Sequence, residues 1–264
     1  MFADELAAQL EARREQLARS EQERADAQIE IDAFRLDYMA QLGQTQAELE
    51  ALEIHIAEYR LRNELLRLRR GAIDAARLEY EVEWQLRGRR EQFAGYQESV
   101  RRAASAHPPA STAVDAAGLK SLYRELAKRI HPDLATDEEE RQARGQLMAQ
   151  ANVAYARLDV PALQSMLAQA DGMKPAPSMP DPAWLRAEAA RLDRIIAEVR
   201  GEISALNRSD WMSMKLDAAL ARSRGLDWFG NARRQMEAQA ARRRIDLDGL
   251  IAEFRDLVYQ LRLA

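Results

Sequence analysis

Residues 42–66 read Leu-Gly-Gln-Thr-Gln-Ala-Glu-Leu-Glu-Ala-Leu-Glu-Ile-His-Ile-Ala-Glu-Tyr-Arg-Leu-Arg-Asn-Glu-Leu-Leu. Within them Leu42, Thr45, Leu49, Leu52, Ile56, Tyr59, Asn63 and Leu66 recur at alternating spacings of three and four. That period of about 3.5 residues is the seam of a coiled coil, so the surrounding stretch is a helix that must find a partner helix. Asn63 falls on the seam, where a buried amide seeks a partner amide and so fixes register or strand number. Upstream, the stripe through Ile31, Phe34 and Tyr38 meets the seam with a phase slip near Gly43, which predicts a kink or stutter there. If residues 5–70 form one straight helix, it is about 100 Å long. A turn at Gly43 or Gly71 folds it into a hairpin instead, and periodicity does not choose between the two.

The prolines extend the argument to the whole chain of 264 residues. All eight lie between Pro108 and Pro182. Proline removes a backbone donor and clashes with the preceding helical turn, so the flanking stretches contain nothing that forbids long helix. In the second of these, Asp181 and Pro182 open a helix as N-cap and first helical residue. Leu185, Ala189, Leu192, Ile196, Val199, Ile203 and Leu206 then keep a regular 4-3 rhythm. Residues 207–210 read as a turn, Gly225 and Gly230 as weaker breaks, and Leu247, Ile251, Phe254, Val258 and Leu261 as a last seam. Helices joined this way most simply pack antiparallel. The fold expected is all-α, with long coiled-coil or helical-hairpin arms over 1–103 and 182–264. Between them stand linkers at 104–113 and 171–181 and a compact helix-loop-helix unit over 114–170.

Composition agrees and excludes several function classes. Charged residues make up 31% and aromatics only 6%, which suits long helices burying narrow stripes better than one large spherical core. There is no cysteine, so disulfide frameworks, cysteine–zinc fingers and thiol nucleophiles are out. The net charge of −4 gives no global reason to expect nucleic-acid binding. The start, Met1-Phe2-Ala3-Asp4-Glu5, lacks the basic flank and apolar run of a secretion signal, and no stretch reaches the roughly 18 apolar residues of a membrane span. The expected compartment is the cytoplasm.

Only the middle carries a chemical signature. Leu119, Leu122, Leu126 and Ile130 share a helical face with Tyr123 beside them, while Lys120, Arg124 and Lys128 line another and Arg129 extends that patch. Glu125 is the single acid among them. His131-Pro132-Asp133 follows, and the proline both ends the helix and holds His131 extended. A capping box of Thr136 and Glu139 opens a second helix, whose apolar face is Leu147 or Met148, Ala151, Ala154, Tyr155 and Leu158. Asp159 and Pro161 open a short third helix, 161–170. Two antiparallel helices around a proline loop need more cover than they provide for themselves.

The run Leu119-Lys120-Ser121-Leu122-Tyr123-Arg124-Glu125-Leu126-Ala127-Lys128-Arg129-Ile130-His131-Pro132-Asp133, followed by Asn152-Val153-Ala154-Tyr155-Ala156-Arg157-Leu158, resembles a J-domain. J-domains are the modules by which DnaJ-type co-chaperones engage DnaK-type heat-shock ATPases, and the likeness covers roughly residues 115–170. It implies that His131, Pro132 and Asp133 trigger ATP hydrolysis in the partner, and that Lys120, Arg124, Lys128 and Arg129, with Tyr123 at the edge, dock on an acidic surface of the ATPase. ATP is then bound by the partner. The resemblance thus implies that this chain is not an enzyme and needs no cofactor, with its coiled coils serving client binding, localisation or self-association. Three departures bear on this. Glu125 stands where a further base is common, Leu134 where a cation is usual, and the family's first helix is missing before Leu119. Phe93, Tyr96 and Val100 are the residues expected to cover the helix pair in its place. The alternative is a coiled-coil interaction scaffold with an inactive J-like insert.

The remaining conspicuous residues read as structural. His55 lies in the first coiled coil and His107 in a linker, and neither has a partner at metal-ligand spacing. Trp84, Trp184, Trp211 and Trp228 are scattered and expected to pack helix junctions. Arg242-Arg243-Arg244 lacks the interleaved aromatics of a nucleic-acid site.

Overall fold

A computed structural model describes residues 2–69, 74–105, 116–135, 137–170 and 181–261. Every regular element among them is helical: α1 (Phe2–Arg69), α2 (Ala75–Ser105), α3 (Ala116–Ile130), a 3-10 turn (Pro132–Leu134), α4 (Glu138–Ala156), α5 (Val160–Ala170), α6 (Pro182–Asn207), α7 (Asp210–Ser223) and α8 (Trp228–Gln260). The all-α expectation therefore holds. Gly71, Thr136, His107 and most of the two linkers lie outside the described residues. No helix among the described residues is long and apolar enough to cross a membrane.

The chain divides into two units, and α1 contributes to both. One unit joins Met1–Ala33 to Pro108–Ser213, and the other joins Phe34–His107 to Met214–Ala264. The units change at 33/34, 107/108 and 213/214: the second change falls within the expected linker 104–113, whereas the first and third divide the two arms, because each seam finds its partner far along the chain.

In the first unit, α1 is buried on two faces. Ala18, with Ala25 and Ile29, packs into a core made by Leu119, Tyr123, Leu126 and Ile130 of α3, Leu147, Met148, Ala151 and Tyr155 of α4, and Leu163 of α5. On its other face Leu10 and Leu17 meet Leu185, Leu192, Ile195, Ile196 and Val199 of α6. Each fully buried leucine or isoleucine stabilises by about 1.5–3 kcal/mol, so these two stripes hold α1 in place. Arg13 pairs with Asp193 at 2.9 Å and Arg24 with Glu202 at 2.7 Å, so α6 runs parallel to the start of α1.

The helix pair is therefore covered by α1, and not by Phe93, Tyr96 and Val100. Those residues sit on α2 in the second unit, where the Tyr96 hydroxyl donates to the Gly43 carbonyl at 3.5 Å. Small alanines on α1 let that helix approach α3 and α4 closely, which is why a stripe of Ala18 and Ala25 does the covering.

In the second unit, α2 returns antiparallel along α1. Arg62 forks onto Glu79 at 2.8–2.9 Å, Arg89 reaches Glu50 at 3.0 Å, and Arg90 pairs with both Glu58 and Glu83. No break occurs at Gly43, and α1 is continuous through it. The glycine instead makes room for α2, since a Cβ there would stand 2.9 Å from Val100 Cγ2. Helix α8 lies parallel to α1: Arg233 donates to the Gln41 carbonyl at 2.9 Å, Arg243 meets Glu53 at 2.5 Å, and Arg67 pairs with Glu253. Helix α6 in the first unit and α8 in the second thus each run parallel to their own stretch of α1. Asn63 is buried, and its amide donates to the Leu250 carbonyl of α8 at 3.1 Å rather than to another amide. Tyr59 meets Phe254 edge-on at 5.6 Å. Gly225 takes the left-handed φ of 71° in the turn after α7, but Gly230 lies inside α8, its N–H capped by Asp227 at 2.9 Å. Trp228 packs on Phe34 with ring centroids 6.0 Å apart, whereas Trp84 stands 70% exposed and joins no junction.

Candidate functional site

The loop between α3 and α4 is built by proline chemistry. The N–H of His131 still bonds the Ala127 carbonyl at 3.1 Å, and then Pro132 turns the chain out of the helix. Leu134 N–H to the His131 carbonyl (2.9 Å) and Ala135 N–H to the Pro132 carbonyl (3.1 Å) close a 3-10 turn. The His131 ring locks it from the side, its Nδ1 accepting from the Asp133 N–H at 3.2 Å. With Nδ1 accepting, the hydrogen-bond pattern assigns the ring proton to Nε2, which points to Glu21 Oε1 at 3.2 Å. Glu21 comes from α1, and its other oxygen lies 2.6 Å from Arg24 Nη2. Arg24, Glu21 and His131 thus form a line of charge and hydrogen bonding from which water is almost excluded at its centre.

Asp133 differs. Its carboxylate lies 3.6 Å from His131 Nδ1 and its side chain is 38% exposed. The neighbouring cation is Arg191 of α6, which pairs with Glu188 at 2.7 Å and is held further in its charged form by the Asp133 carboxylate. Leu134, the residue where a cation is usual, packs against the apolar cluster of α1 and α6. A cation there would give up that apolar contact, so the leucine suits the cover.

The cationic ridge faces α1. Lys120 Nζ stands 2.8 Å from Asp26 and Lys128 Nζ 3.0 Å from Glu11, while Arg129 pairs with Glu125 on its own helix at 2.7 Å. Arg124, midway between the two lysines, is half-buried. Asp26 also accepts from the Tyr155 hydroxyl at 2.7 Å and from Gln22 at 3.0 Å. Burial alone would raise the Asp26 carboxyl, but the bonds from Lys120, Tyr155 and Gln22 outweigh it and hold the group below its ordinary value. The Tyr155 phenol is pushed well above its usual range, first by burial and then by donating to Asp26.

Tyr123 is corrected by the structure. Placed at the docking edge by the resemblance, it is wholly buried; its hydroxyl donates to Asn152 Oδ1 at 2.5 Å and its ring lies 4.4 Å from that of Tyr155. A side chain with no exposed surface cannot touch a partner, so Tyr123 holds α3 to α4.

Of the expected site residues, His131, Pro132 and Asp133 come together in one rigid turn beside Lys128 and Arg129. Lys120 lies two helical turns back. No family model, no curated protein and no solved structure matches the chain.

Sequence reading missed Glu11, Glu21, Arg24, Asp26 and Arg144. The first four sit in a charge-rich stretch of α1 that reads as a solvated face. Arg144 is buried in α4, where it bonds Glu140 at 2.8 Å and the Arg129 carbonyl at 2.5 Å, tying α4 to the end of α3. The N-cap of α4 is Asp137, which accepts from the Glu140 N–H at 2.8 Å. Among the described residues no cluster of three or more histidines and carboxylates suits a metal ion.

Proposed function

We propose that residues 116–170 act as a J-domain, docking on a DnaK-type heat-shock ATPase and biasing it toward ATP hydrolysis while the chemistry stays in the ATPase. The observation that carries the reading is Asp133. Its carboxylate stands at the surface of a turn fixed by the His131 side chain and two backbone bonds, so a partner arginine meets a charge whose backbone is already ordered. Pro132 and His131 set that turn, and Lys120, Arg124, Lys128 and Arg129 supply the cationic face that steers an acidic partner. Glu11 and Asp26 hold two of these cations, so docking proceeds in competition with α1. On this reading the seams of the long helices are used within the chain, their outer faces serve client binding, localisation or self-association, and the implied compartment is the cytoplasm.

The same competition favours a second reading, a helical interaction scaffold whose J-like insert no longer engages an ATPase. Steady-state ATP hydrolysis by the cognate DnaK-type chaperone separates the two. On the first reading the full chain stimulates hydrolysis, Asp133→Asn abolishes the effect at unchanged helicity, and Glu11→Gln with Asp26→Asn raises it. No stimulation by either the wild type or the double variant overturns the first reading and leaves the scaffold.

A further inference from the structure

Helix α2 buries Leu78, Val82, Val100 and Ala103 along one face. Its opposite face carries Arg77, Tyr80, Trp84, Arg87 and Glu91 at spacings of three, four, three and four. Trp84 is 70% and Tyr80 69% exposed. Two large aromatics one turn apart on a solvated helix make a contiguous exposed apolar patch. The charges around them pair within the helix, Arg77 at 3.7 Å from the half-buried Glu81 and Arg87 hydrogen-bonded to Glu91 at 2.9 Å. Such pairs contribute little and are free to be shared.

We propose that this face pairs with the same face of a second copy of the chain, antiparallel, about a two-fold axis at Trp84. The charge pattern selects the occupant and the direction. Arg77 and Glu91 each lie seven residues from Trp84, on the same line of the helix. A two-fold at Trp84 therefore sets Arg77 of each copy opposite Glu91 of the other, giving two symmetric ion pairs with Trp84 against Trp84 between them. A parallel pairing in register would set Arg77 on Arg77 and Glu91 on Glu91, which is repulsive. Gly88 adds to the fit. A Cβ there would meet nothing within 4 Å, so the chain itself makes no use of the missing side chain. Across the two-fold it leaves room for Tyr80 of the second copy to lie over the helix backbone. One helix face is a small interface, and the dimer is accordingly weak and concentration-dependent.

Sedimentation equilibrium of the full chain from low micromolar to hundreds of micromolar tests this. The expected result is a monomer–dimer equilibrium that Trp84→Ala weakens about tenfold or more, as loss of a central aromatic anchor does. Because Trp84 is exposed, the folded monomer survives that change, and circular dichroism checks it. Arg77→Glu and Glu91→Arg each weaken the dimer, and the two combined restore it. A chain that stays monomeric throughout, a dimer indifferent to Trp84→Ala, or a double exchange no better than the single ones overturns the proposal.

Discussion

Glu21 Oε1 stands 3.2 Å from His131 Nε2, and both side chains are almost wholly out of solvent. The contact joins α1 to the proline turn and leaves neither group a water to fall back on. Glu21→Ala strands the imidazole N–H and leaves Arg24 with Glu202 alone, and the expected loss is about 1–3 kcal/mol in urea unfolding. Glu21→Gln keeps an acceptor for His131 and should fall between the two. A Glu21→Ala protein as stable as the wild type would show that the contact contributes nothing.

Two carboxylates on α1 give the first unit an acid-sensitive contact. Burial opposes the charge on Glu11, yet the bonds from Lys128 and Arg14 hold it below its ordinary 4.5, as Asp26 is held below 3.8. Each group has a folded pKa below its unfolded one. The stability it adds is complete above the unfolded value and is lost as pH falls through the folded value. The urea midpoint should drop between about pH 5 and about pH 3. Asp26→Asn should lower the midpoint at neutral pH and flatten that drop.

Gly43 and Val100 make a size exchange between α1 and α2. Gly43→Ala brings a Cβ to 2.9 Å from Val100 Cγ2, and the crowding exceeds the gain in helix propensity. A net loss of about 1 kcal/mol is expected. With Val100→Ala already present the sign reverses, and Gly43→Ala stabilises by up to about 1 kcal/mol, the usual helix-interior advantage of alanine over glycine. A double-mutant cycle by thermal unfolding reads the reversal.

Leu158 has a φ of 58° just past the end of α4, where the Asp159 N–H bonds the Ala154 carbonyl at 2.9 Å. That is a helix stop that favours glycine, and Leu158 is 43% exposed, so little packing is forfeited by replacing it. Leu158→Gly should stabilise by about 1 kcal/mol, seen as a raised melting temperature.

The helical class was legible because proline position and 3.5-residue spacing are local properties. The seam from Leu42 to Leu66 is real, and it faces α8, as Asn63 on Leu250 and Tyr59 on Phe254 show. Ile54, Ala47 and Leu65 are buried off that seam because α1 has α2 on another side, which one-stripe reading does not anticipate. Leu158 kept the period of the α4 face but lies beyond the helix end. At the site, the turn over residues 131–134 followed from Pro132 alone. The cover did not, because nothing local in Ala18, Glu21 or Ala25 says that residues a hundred positions away will lie against them. Partner choice among helices is decided by surface fit summed over many side chains.

Because α1 supplies a wall to both units, it is synthesised before nearly everything it packs against. Asn63 must wait for Leu250, 187 residues later, which at ribosomal speed is on the order of ten seconds or more. During that interval the nascent helix carries uncovered leucines, and neither unit completes its core until the C-terminal half of the chain has been translated. A protein arranged this way should depend on holding factors at the ribosome exit, and premature termination anywhere upstream of α8 should release an aggregation-prone fragment.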